Sequence, residues 1–152
     1  MKIAGPPPLQ PRAPQTPPPP TPPVPSKGDV FFASSGRTAR TVACVGGFTN
    51  GGSLGYMGGA LLAGSLGCTG NASLAVALGA AAGGGVVGWA LMGKVSDWAA
   101  HKAGDSVRKQ ALVRTSLNLA VDLLSGSPIT AVVDLGITAG AGAFSAWRAP
   151  KA

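Results

Sequence analysis

Between Thr41 and Gly93 the chain carries no Asp, Glu, Lys, Arg or His. Small and apolar residues fill this stretch. They are interrupted by isolated polar groups such as Thr49, Asn50 and Ser53, and by Cys68-Thr-Gly-Asn71, which reads as a turn. The pattern predicts a helical hairpin over 42–93, with arms at 42–67 and 72–93. At a rise of about 1.5 Å per residue, each arm is long enough to cross a hydrocarbon layer of about 30 Å.

Polar positions return on both sides. Residues 29–41 read as a juxtamembrane segment, with Phe31 and Phe32 placed to dip into a lipid interface. In 94–126, Val113, Leu117, Ala120 and Leu124 recur at helical spacing among Arg108, Lys109 and Arg114. This predicts a basic amphipathic helix, with Gly104 as a break and Gly126 as a stop. Ser127-Pro128 is a helix start, with Ser as cap and Pro at the first position. Residues 127–148 then form a C-terminal apolar helix, a third candidate span, whose interior holds one charge, Asp134. An ionisable group there implies an intramembrane polar contact if the segment crosses, and a merely exposed charge if it packs in the interface.

Glycine is spaced rather than scattered. Gly47, Gly51, Gly55 and Gly59 recur at every fourth position, and Ala63 and Gly67 continue the row. Ala80, Gly84 and Gly88 repeat the step in the second arm, and Gly136 and Gly140 in the C-terminal helix. In water glycine costs a helix about 1 kcal/mol relative to alanine. In lipid the hydrophobic effect does not drive helices together, so close backbone approach and Cα–H···O contacts take its place. The expectation is that Gly47, Gly51, Gly55 and Gly59 face Ala80, Gly84 and Gly88, or a second copy of the chain.

Composition sharpens this picture. The sequence has 24 glycines but only four Phe, three Trp and one Tyr in 152 residues, poor material for a core in water. Twelve of its fourteen prolines fall between Pro6 and Pro25, so residues 1–28 read as a disordered, proline-rich tail of polyproline II character. Within it Pro22, Pro25 and Lys27 match the P-x-x-P-x-K pattern that SH3-type domains accept. The net charge is +7, with no Glu. Arg37, Arg40, Lys94, Lys102, Arg108, Lys109 and Arg114 flank the apolar run, which suits anionic headgroups better than nucleic acid. The first residues hold no apolar signal region, so a chain made without a cleaved signal peptide is expected.

Chemistry finds little support. Gly83-Gly-Gly85-Val-Val-Gly88 and Gly88-Trp-Ala-Leu-Met-Gly93-Lys94 approach nucleotide-binding patterns but lack the strand and the hydroxyl those sites need. Asp97, His101 and Asp105 step along one face without converging on one ion. With a single histidine and both cysteines in the apolar run, no catalytic residue, metal site or cofactor is expected, and the chain does not read as an enzyme.

The row Gly47-xxx-Gly51-xxx-Gly55-xxx-Gly59 resembles glycine-zipper membrane proteins, and Tyr56-Met-Gly-Gly59 is similar to the YMGG signature of one bacterial family among them. The resemblance implies membrane insertion and helix self-association, and no chemistry. The expected fold is therefore all-α: a transmembrane hairpin, an amphipathic helix and a third apolar helix behind a proline-rich tail. The expected activity is that of a small integral membrane protein that binds lipid and self-associates, forming a pore or remodelling the bilayer. Its layout also suits a secreted bacterial effector delivered to a host membrane. The alternative is a membrane-anchored adaptor whose tail binds an SH3-type partner.

Overall fold

The computed structural model describes residues 24–150, and the chain is all-helical there. Four helices follow one another: α1 (Lys27–Ser65), α2 (Gly70–Lys102), α3 (Val107–Leu124) and α4 (Pro128–Arg148). Most of the proline-rich tail, Pro22 included, lies outside the described residues.

α1 starts on a capping box. The Asp29 amide donates to Ser26 Oγ at 3.2 Å, and the Ser26 amide donates to Asp29 Oδ2 at 3.1 Å. The helix then runs 39 residues, about 58 Å, so the expected juxtamembrane segment and first arm are one uninterrupted helix. It ends in a Schellman motif: Cys68 N–H donates to Ala63 O at 2.9 Å and Gly67 N–H to Gly64 O at 3.1 Å. Gly67 sits there at φ +71°, a left-handed conformation that costs glycine nothing. It caps the helix and touches no second helix, which corrects its expected place in the packing row.

α2 returns antiparallel to α1 and continues past Lys94, whose charge does not interrupt the backbone ladder. The break expected at Gly104 falls between α2 and α3, where Gly104 adopts φ +84°. The stretch 94–126 is thus divided between the end of α2 and the whole of α3. α3 runs alongside the first half of α1, and α4 packs antiparallel to that same half. Ser34 Oγ lies 2.8 Å from Ser145 Oγ, and the Ser34 hydroxyl donates to Ala141 O at 3.2 Å. α1 and α2 each touch α3, but α2 and α4 do not meet.

The molecule therefore has two parts. Around the first half of α1 the helices form a bundle, and beyond it the rest of α1 and α2 project as a bare hairpin. The core is made of small residues. Ala39, Ala43, Cys44, Ala63, Ala77, Ala100, Ala111 and Ala131 are its buried apolar members, and the largest side chains wholly inside are Cys44 and Ser96.

Candidate membrane-inserting hairpin and its polar junction

The glycine column of α1 lies against α2 through backbone. A Cβ at Gly51 would run into the carbonyl of Gly84, and one at Gly84 into the carbonyl of Gly51. Gly55 meets Ala80 O in the same way, and Gly47 and Gly88 meet each other. A Cβ at Gly59 would lie 2.9 Å from Ala77 Cα and 2.6 Å from Ala80 Cβ. Four-residue spacing keeps these positions on one face, and the absence of side chains lets the two backbones touch.

Other close approaches carried no spacing signal. Gly85 accommodates the Phe48 ring, Gly93 the Cys44 thiol, and Gly142 the side chains of Phe31 and Ser35. Gly136 and Gly140, expected in the packing set, have nothing within 4 Å of a Cβ built on them. They lie on the outer face of α4 and pack against nothing among the described residues, because Ala131, Thr138 and Gly142 form the buried stripe instead.

The outside of the hairpin is apolar. Leu54, Met57, Leu61, Leu62, Leu78, Val86 and Leu91 all point outward, and Leu61 is 75 % exposed. A groove of about 430 Å³ between Val45, Phe48, Val86 and Trp89 is lined by apolar residues alone. Two helices, α2 and α4, are long and apolar enough to cross a membrane. α1 is not among them, because Thr49, Asn50, Ser53 and its glycines dilute its apolar residues. The two apolar helices are offset along α1 and overlap only near Arg40–Gly46. α2 meets the glycine column from Gly47 to Gly59, whereas α4 lies beside α1 from Phe31 to about Gly46.

The basic residues gather at the bundle end. Arg37, Lys94, Lys102, Arg108 and Lys109 are exposed, and the Arg108 guanidinium lies 5.5 Å above the Phe32 ring. Arg40 and Arg114, expected as free surface charges, converge on Asp97 instead. Asp97 accepts from Arg40 Nε at 2.8 Å and Nη2 at 2.8 Å, and from Arg114 Nη2 at 2.9 Å. This cluster ties α1, α2 and α3 together just below the uncharged hairpin. Hydrogen bonding to Arg40 holds the Asp97 carboxyl below its ordinary range, with the charges of Arg40 and Arg114 adding to the effect against the opposing cost of burial. The same bond raises Arg40. Lys27 is the first residue of α1 and Pro25 is exposed ahead of it.

Asp134 lies at the junction of bundle and hairpin, facing Asp122 of α3 and close to Val42, Ala43 and Gly46 of α1. Neighbouring Asn118 donates through Nδ2 to Ala39 O at 2.6 Å. Asp122 and Asn118 carry no signal in the sequence, since single polar residues on an amphipathic helix normally face water.

No protein-family model, no curated protein and no solved structure matches this chain.

Proposed function

We propose that the chain inserts its α1–α2 hairpin into a lipid bilayer from the bundle side and self-associates there, opening a pore or deforming the membrane. One observation carries the reading, the inversion of burial. Alanine, glycine, serine and one cysteine fill the interior, while the leucines, valines and tryptophans of the hairpin point outward. In water this arrangement forgoes about 1.5–3 kcal/mol for each large side chain left exposed. In hydrocarbon it carries no such penalty, and small interior residues favour close helix contact.

Charge supports the same orientation. The part of α1 and its cap that stands clear of the bundle, Gly47–Gly67, carries no charge and is about 31 Å long, close to the thickness of a hydrocarbon core. The nearest basic residues, Arg40 and Lys94, lie within about 10 Å of its base, at the level expected for headgroups. α4 lies beside the charged half of α1, so most of it is outside the slab that holds the hairpin.

The test is topology in sealed vesicles. Cys44 is 1 % exposed and unsuitable as a reporter, so it is replaced by Ala. Cys68 then marks the tip, and a Val24→Cys variant marks the base. Insertion across the bilayer requires that a membrane-impermeant maleimide reach these thiols from opposite sides. Labelling of both from one side without detergent overturns the proposal.

A further inference from the structure

The junction between bundle and hairpin holds an unbalanced set of oxygen atoms. Asp122 is 7 % exposed, and its Oδ2 has no hydrogen-bond partner. Asn118 is 5 % exposed, and its Oδ1 has none either, although its amide nitrogen is used. Asp134 faces the same space from α4. All three line one void of about 10 Å³, and Asn118 and Asp134 also line a second of the same size. Such a space holds about one small sphere.

Nothing around the voids balances the two carboxylates. α1 contributes Val42, Ala43 and Gly46, and α2 contributes Met92. Among the described residues, no lysine, arginine or histidine lines either void. The nearest guanidinium along α3, that of Arg114, is committed to Asp97 and to Gly36 O. Two like charges held together in a partly desolvated place repel strongly. An isolated buried carboxylate is costly unless something pairs with it.

We propose that Asn118, Asp122 and Asp134 bind a divalent, oxygen-seeking cation of the calcium or magnesium class between α3 and α4. Two carboxylates, each able to bind through both oxygens, and an amide carbonyl are hard donors, the set such ions select. Bound there, the ion offsets the repulsion and fastens α4 to α3 where the hairpin leaves the bundle.

The test uses the full chain in detergent micelles, stripped with a chelator and titrated calorimetrically with Ca²⁺ and, separately, Mg²⁺. The expected result is one ion per chain and a melting temperature that rises with ion concentration. D134N should weaken binding at least tenfold, whereas D134E, which keeps the carboxylate, should retain it. D105N, altered at an exposed loop, should bind as wild type does. Absence of a saturable signal from wild type up to about 10 mM of either ion, beyond the weak end of protein calcium sites, overturns the proposal. So does undiminished binding by D134N. A wild type that ignores both ions but is stabilised by acid would assign the site to a shared proton and likewise overturn it.

Discussion

Adding one methyl group to the column tests the packing argument most directly. At Gly51 a Cβ would meet the Gly84 carbonyl oxygen and lie 3.0 Å from its carbon and 3.1 Å from Gly88 Cα. Carbon atoms prefer about 3.5–4.0 Å, so the helices must part by roughly 0.5–1 Å. The obstacle is backbone, and no rotamer change can relieve it. Overpacking of this kind costs about 1–3 kcal/mol. Alanine's better helix propensity returns up to about 1 kcal/mol. Gly51→Ala should therefore destabilise the hairpin by about 1–2 kcal/mol. Gly58→Ala is the control, because nothing lies within 4 Å of its Cβ position. It should be neutral or stabilising by up to about 1 kcal/mol. Cys44 offers the readout, since its buried thiol packs on Gly93 and is reached only when the helices separate. In a Cys68→Ala background, the rate of Cys44 alkylation should rise about tenfold or more for Gly51→Ala and stay level or fall for Gly58→Ala. Equal rates for the two variants would refute the claim that the α1 column is the contact face.

Further expectations follow from other parts of the molecule. Asp97→Asn removes the shared partner of Arg40 and Arg114; with side chains 45 %, 46 % and 18 % exposed for Asp97, Arg40 and Arg114, the cost is about 1 kcal/mol, read as a lower melting temperature. The lowered carboxyl of folded Asp97 binds a proton less readily than that of the unfolded chain. Its stabilisation is therefore present above the ordinary carboxylate pKa and lost as pH falls through the lowered one, and melting curves for Asp97→Asn should lack that acid-side component. Leu61→Ala should leave Cys44 protection unchanged but weaken partitioning into vesicles by roughly thirtyfold, from about 2 kcal/mol of lost apolar transfer. Removing residues 1–23 leaves the Ser26–Asp29 cap in place and should leave vesicle insertion unchanged; loss of insertion would shift the membrane activity to the tail.

Helical class, the uncharged stretch and the spacing of glycine at every fourth position are legible in the chain. These are local properties, fixed by propensity, by charge position and by the 3.6-residue period that puts Gly47, Gly51, Gly55 and Gly59 on one face. That period says which residues share a face, but not what the face meets; the partners come from the tertiary fold. It set the column against Gly84 and Gly88 through bare backbone, left Gly136 and Gly140 open, and turned Gly67 into a helix cap. It joined Asp97 to an arginine 57 positions away, and brought Asp122 and Asp134 together through a chain reversal at Gly126. Such encounters depend on helix length, turn geometry and register summed over the whole chain, and no short window of sequence contains that sum.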